Sequence, residues 1–233
     1  MPKFVINFFI MCIVLWGSTT ASGAADILPF STGETITYSI KKMGVRVGTA
    51  TLEFQGKEKL KEKEVYLIVF TADGINFYDQ ERIYADIKDF YPLRIERDLN
   101  IFGKKEVIIE EYDSIQGVVK IVKTTAGSPL EETIVKSGRL DNIYCFLYRY
   151  RWQGSFELGQ ALALNLPTKD ISVSIENKTR LKTAGRDFDA YFMNSDRGEY
   201  RMWFDSSADK IPLRIDGAIK FGKTAMVMTG YKK

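Results

Sequence analysis

From Ile27 onward the chain alternates. Ile36, Tyr38 and Ile40 point to one side of an extended segment while Thr35, Thr37 and Ser39 point to the other, the two-residue period of a half-buried strand. Lys42-Met43-Gly44 then turns the chain into a second strand over 45–54, where Gly48 predicts a bend or bulge. The same pattern predicts strands at 65–71, 82–87, 93–101, 105–112, 118–124 and 132–135. A second set follows at 161–166, 171–182, 188–194, 200–205, 213–219 and 224–231. Strands joined by short turns, without long crossovers, imply antiparallel pairing. One segment breaks the rhythm. Ile143, Tyr144, Leu147 and Tyr150 recur at three- and four-residue spacing behind Asp141, which predicts a single helix over 141–152 with Asp141 as its N-cap.

Two stretches on either side of that helix are near copies. Asp89-Phe-Tyr-Pro-Leu-Arg-Ile-Glu96 and Asp209-Lys-Ile-Pro-Leu-Arg-Ile-Asp216 each run on to a second shared phrase, Phe102-Gly103-Lys104 and Phe221-Gly222-Lys223. Each reads as an acidic turn, a proline at a strand mouth where its missing N–H costs least, an alternating strand and a Gly-Lys hairpin. So many strands in one open sheet must twist, curl or close to protect their edges. The expected fold is therefore mainly β: a single large, strongly curved antiparallel sheet, a half-barrel or near-closed barrel, with two pseudo-repeated halves and one central helix that partly covers its open side.

The first residues change the compartment. Met1-Pro2-Lys3, an apolar run from Phe4 to Trp16 and a small-residue exit through Ala24 are the three parts of a secretory signal peptide. The run is short of the roughly 20 residues of a bilayer span. Residues 1–24 are thus read as a cleavable signal and 25–233 as one β-rich domain, periplasmic, with no stable transmembrane anchor after cleavage. Cys12 lies inside the apolar run behind Phe9, Ile10 and Met11, which argues against a lipid-modified cysteine. Loss of Lys3 takes the formal charge from +3 to +2, so there is no electrostatic case for nucleic acid. Cys145 is left as a lone thiol, read as a small buried hydrophobe.

Candidate chemistry is defined largely by exclusion. The chain contains no histidine, which removes Ser-His-Asp and Cys-His machinery, and with one mature cysteine a conventional zinc site goes too. Glycine-rich phosphate cradles are absent. Ser39-Ile40-Lys41-Lys42 spells a Ser-x-x-Lys signature, but on a strand positions three apart face opposite ways. Glu110-Glu111, Glu131-Glu132, Asp86 with Asp89 and Asp205 with Asp209 sit on strands or in turns where carboxylates are solvated or bond local backbone. No catalytic residue, metal ligand or cofactor is predicted. Aromatic residues make up 13% of the chain, and core packing is their default role. The sharper expectation is a concave apolar groove lined by Tyr84, Tyr144, Tyr148, Trp152 and Trp203, with Arg149 meeting an anionic head group. Arg151, Arg94 and Arg214 are alternatives at its mouth, although Arg94 and Arg214 also fit a solvent-facing phase.

Gly33-Glu34-Thr-Ile-Thr-Tyr38 followed by Gly44-Val-Arg-Val-Gly48 resembles the opening of a family of exported bacterial proteins known as a domain of unknown function. Tyr84-x-Asp86 with Pro92, Asp141 ahead of an aromatic and arginine-bearing helix, Leu158-Gly159 and the closing Ile211-Pro-Leu-Arg-Ile215 match that family's pattern in order. Asn142 and Tyr144 stand where the pattern has Pro and Ser. More distantly, Tyr84-Ala-Asp86 with Pro92 and Trp203-Phe-Asp205 with Pro212 resemble the repeating phrase of outer-membrane lipoprotein carriers, whose curved sheets cup acyl chains under a helical lid. The resemblance implies a non-catalytic periplasmic binding or chaperone-like protein that holds a lipid, an acyl chain or another envelope component. A second expectation is an envelope assembly or scaffold protein that acts through protein–protein contacts without a small ligand.

Overall fold

Fourteen strands and one helix follow one another in a computed structural model that describes residues 28–217 and 224–233. The predicted signal peptide and the Phe221-Gly222-Lys223 hairpin lie outside the described residues. The first eight strands are β1 (Glu34–Lys42), β2 (Val45–Leu60), β3 (Lys63–Gly74), β4 (Phe77–Asp86), β5 (Pro92–Ile101), β6 (Lys104–Asp113), β7 (Val118–Thr125) and β8 (Ser128–Val135). After the helix α1 (Ile143–Gln153) come β9 (Ala161–Leu166), β10 (Lys169–Thr183), β11 (Arg186–Ser195), β12 (Arg201–Asp205), β13 (Pro212–Asp216) and β14 (Thr224–Lys232). All fourteen form one antiparallel sheet in the order 8-7-6-5-4-3-2-1-14-13-12-11-10-9. β1 and β14 pair, so the chain's two halves meet at mid-sheet, and the sheet ends on β8 and β9 without closing.

Tight turns enforce the meander. Phe102 and Gly103 have φ of 51° and 83°, the two positive values of the hairpin turn whose twist matches that of paired strands. Met43-Gly44, Ala126-Gly127 and Ala184-Gly185 repeat it at three other hairpins. At Gly48 the β2 backbone comes so close to β3 that a Cβ would stand 2.4 Å from the Asp73 carbonyl oxygen.

The repeat seen in the sequence is a repeat in space. Tyr84 pairs with Arg94 across β4–β5 and Trp203 with Arg214 across β12–β13, and each pair is followed at once by a register shift opposite Pro92 or Pro212. Asp86 N–H donates to the Tyr91 carbonyl at 2.9 Å and Asp205 N–H to that of Ile211 at 2.8 Å. The Asp86 and Asp205 carboxylates accept the backbone N–H two residues on, from Lys88 and Ser207, the local turn bond that favours Asp there. Phe90 and Lys210 both turn through positive φ, at 56° and 49°.

The helix departs from expectation. It is buried around its circumference, from Ile143 through Tyr148 and again at Tyr150 and Arg151. A helix apolar on all sides belongs inside a core rather than on a surface. Instead of covering the open side, α1 fills the sheet's interior, against Ile36, Leu52, Phe54, Phe70, Met202, Phe204 and Leu213. Its N-cap is Asn142, whose side-chain oxygen accepts from Tyr144 N–H at 2.8 Å and Cys145 N–H at 3.4 Å. Asp141, the predicted cap, pairs with Arg149.

Candidate functional site

The six residues expected to line one groove do not share a surface. Tyr144 stacks on Phe70 at 4.4 Å between ring centroids, and Tyr148 lies at 4.8 Å from Phe30 and 5.5 Å from Phe54. Both are core rings. The Tyr148 hydroxyl is buried without a hydrogen-bond partner, and burial pushes its pKa well up. Trp152 stands edge-on to Phe90 at 5.6 Å. Tyr84 and Trp203 are on the opposite, convex side of the sheet: Tyr84 packs with Val65, Leu67 and Val69 and bonds Glu96, while Trp203 packs on Phe192. The expectation of a single concave aromatic pocket is thus corrected, because α1 occupies the space such a pocket needs.

Two arginines on α1 lock it in place instead of facing a ligand. Arg151 bonds both Glu34 oxygens at 2.6 and 2.8 Å and the Asp209 carbonyl at 3.1 Å. The Arg151 and Glu34 side chains are 1% and 0% exposed. Tyr231 donates to Glu34 at 3.0 Å, and Tyr38 donates to the Pro212 carbonyl at 2.9 Å. The residues that carry the opening and closing motifs are therefore joined through the helix. Two residues earlier Arg149 pairs with Asp141, and the guanidinium carbons of Arg149 and Arg139 lie 4.1 and 3.7 Å from the Tyr91 ring centroid. Burial pushes the Asp141 carboxyl up against the opposing pull of Arg149. Cys145, beside it, is fully buried and its thiol is likewise pushed well above its ordinary value by desolvation.

Two of the concavities among the described residues are lined from both halves of the chain. The smaller, about 270 Å³, opens in the seam between β8 and β9 above the start of α1. Ile108, Ile121, Leu130, Leu166 and Pro167 supply its apolar walls, and Glu81, Glu110, Glu132, Asp141, Arg97 and Lys123 its charges. Among the charged residues, Arg97 pairs with Asp79 and Glu81, and Lys123 pairs with Glu106.

The larger concavity, about 1040 Å³, lies on the convex face. On β14 and β13, Val227 and Arg214 lie opposite Ser39, outside, whereas Met226 and Ile215 lie opposite Ile40, inside and buried. The outward set forms the floor: Lys41, Ala225, Val227, Arg214 and Asp216. The tip of the β10–β11 hairpin folds back over it, anchored where the Thr183 hydroxyl donates to the Met228 carbonyl, and brings Leu181 and Lys182 to the rim. Six cations line this groove (Lys41, Lys169, Lys182, Arg197, Arg201 and Arg214) against two carboxylates, Glu199 and Asp216. The surplus of four there exceeds the formal charge of +3 of the entire chain. Asp216 is shared by Arg201 and Arg214, at 2.8 Å each, and Glu199 holds Lys169 at 2.6 Å. Lys41 and Lys182 have no carboxylate partner among the described residues. Sequence reasoning missed this groove, apart from Arg214, since its residues come from six separate segments.

Residues 35–229 match the family model described as a protein of unknown function, DUF3108. The chain belongs to the DUF3108 family. The family match takes in the helix, both Pro-Leu-Arg-Ile copies and every residue of the groove. No functionally curated protein matches the sequence. Among solved structures, this DUF3108 protein is similar to a β-barrel-like protein of the DUF1849 domain of unknown function from Brucella abortus, at 8% identity and a TM-score of 0.52, covering 86% of this chain and 97% of that one. That likeness extends to the fold alone. Two weaker matches have TM-scores of 0.30. One is from Parabacteroides distasonis and named provisionally as a lipoprotein, at 9% identity, covering 88% of this chain and 98% of that one. The other, from Bacteroides fragilis and named provisionally as an exported protein with a YmcC-like fold, is 11% identical over the same shares. Within this DUF3108 chain no helix among the described residues is long and apolar enough to cross a membrane. No cluster of three or more potential metal-binding side chains occurs among them.

Proposed function

We propose that this DUF3108 protein is a non-catalytic binding protein of the periplasm, and that it holds a lipid or another acylated envelope component by an anionic head group in the convex groove. The cationic surplus of that groove carries the reading. Its volume of about 1040 Å³ matches the upper end of ordinary ligand pockets, roughly 300–1,000 Å³. Met43, Leu181, Ala225, Val227 and Tyr200 offer apolar surface between the charges, as an amphiphile requires. Clustered Lys and Arg side chains draw anionic lipid at about 1 kcal/mol each near a membrane surface. An acyl chain held inside the sheet is a poorer fit, because aromatic and aliphatic side chains from α1 and the strands already fill that space. The export expected from the N-terminal residues is what brings the protein to such a partner.

Vesicle co-sedimentation tests the reading with three probes: phosphatidylglycerol vesicles, phosphatidylcholine vesicles and free glycerol 3-phosphate. Binding to the first, and not the second, is expected. Competition by free glycerol 3-phosphate would assign the site to the phosphate alone, and its failure would assign it to the intact lipid. The Lys41→Gln/Lys182→Gln variant should bind phosphatidylglycerol about thirtyfold more weakly, at about 1 kcal/mol for each lost cation. Equal binding by variant and parent, both folded by circular dichroism, overturns the proposal.

A further inference from the structure

We infer that the open seam between β8 and β9 is a strand-addition site for an extended polypeptide segment carrying basic side chains on its inward face. This inference is independent of the groove. β8 pairs only with β7, and β9 only with β10. An unpaired edge presents a row of N–H and C=O groups to which another chain can add as a strand. The link from β8 to α1 stitches the lower part of the seam: Asp141 N–H donates to the Asn165 carbonyl at 2.8 Å, and the Asn165 side chain bonds the Ser137 and Arg139 carbonyls at 3.2 Å each. Above it β8 is exposed at every residue from Ser128 to Thr133, and the 270 Å³ cleft lies alongside.

Charge selects the occupant. Glu110, Ile121 and Glu132 lie opposite one another on β6, β7 and β8 and face the cleft. Glu110 accepts the Tyr112 hydroxyl but has no cation among the described residues, and Glu132 has none either. A strand added beside β8 would set one inward-facing side chain directly opposite Glu132, with Glu110 two strands further in. Lys or Arg there pairs with Glu132 and is drawn by the charge of Glu110 beyond it, with the side-chain stems along Leu130, Leu166 and Pro167. A second copy of this chain fits poorly: full-length antiparallel pairing of β8 with itself sets Glu131 against Glu132, and like charges directly opposed are destabilising. Pro129 and the two glutamates likewise discourage indiscriminate edge pairing.

The test uses an eight-residue peptide alternating Lys and Thr, its Glu-Thr counterpart, and the Lys-Thr peptide N-methylated at alternate residues to remove the donors on its pairing edge. Amide hydrogen exchange is read over 128–135. The Lys-Thr peptide should slow exchange there while the other two leave it unchanged, and Glu110→Gln/Glu132→Gln should weaken binding about tenfold. Binding of the N-methylated peptide with equal protection overturns strand addition in favour of charge adsorption. No protection at 128–135, or protection elsewhere only, overturns the site. Slowing that grows with protein concentration in the absence of peptide assigns the edge to a second copy and also overturns the inference.

Discussion

Replacing Arg151 with alanine removes the fastening between α1 and the sheet and leaves its partner stranded. Glu34 is 0% exposed, and its other hydrogen-bond partner is Tyr231 at 3.0 Å. A carboxylate left buried without its cation costs about 3–5 kcal/mol. The Asp209 carbonyl loses a donor, and Phe30 and Tyr148 lose the guanidinium at 4.8 and 5.3 Å from their centroids. Since 1 kcal/mol moves Tm by about 2–4 °C in a domain of this size, the variant should melt roughly 10 °C below the parent. Urea denaturation followed by tryptophan fluorescence gives the free energy directly. The paired replacement Glu34→Gln/Arg151→Met removes both charges, and it should recover most of the loss, because a buried ion pair often contributes little net stability beyond an apolar substitute. A loss below about 1 kcal/mol for Arg151→Ala would refute the reasoning, as would a double variant no better than the single one.

Other perturbations probe separate parts of the molecule. Asn142→Ala removes the helix cap seen at Tyr144 and Cys145 N–H and should cost about 1 kcal/mol by chemical denaturation; no change would mean that the cap adds nothing to packing. Gly48→Ala places a methyl against the Asp73 carbonyl and should cost about 1–3 kcal/mol, whereas a neutral outcome would deny the close β2–β3 approach. Cys145 is buried with its thiol pushed up, so iodoacetamide at pH 8 should label it no faster than the protein unfolds; faster labelling contradicts the filled interior. At Asp86, burial pushes the carboxyl up, but the bonds from Lys63 and from the Lys88 N–H outweigh it and hold the folded pKa below the ordinary value. The folded state therefore binds its proton less readily than the unfolded chain, and the stabilisation is present above about pH 4 and lost as pH falls through the lowered value. Asp86→Asn should lower stability at pH 7 and converge with the parent in acid; a gap that widens in acid rejects this sign.

Much of the architecture was legible because local chemistry and fold agree. Pro92 and Pro212 open their strands, Asp86 and Asp205 make the turns, and Phe102-Gly103 forms the hairpin. The helix was visible in Ile143, Tyr144, Leu147 and Tyr150, but its place was not. Arg149 and Arg151 look like a solvated face until their acids are known, and Glu34 lies 117 residues before Arg151. A signal did exist: Glu34 shares the phase of Ile36, Tyr38 and Ile40, which are all buried, so an acid on that face called for a buried cation. Tyr84 and Trp203 could likewise have been placed outside, since each pairs across its hairpin with an arginine whose phase already faced solvent. The groove was out of reach, because a hairpin folding back over β14 leaves no local pattern.

The central claim is that α1 is a fixed plug, so that any ligand must bind outside the sheet. Amide hydrogen exchange at Leu147, Tyr148, Arg149 and Tyr150, measured with and without phosphatidylglycerol vesicles, tests it most directly. These amides should exchange only through global unfolding, with the same free energy in both samples or a higher one where lipid binds the native state. Exchange through a smaller opening, or a helix that loses protection when lipid is added, would show a movable lid over a cavity.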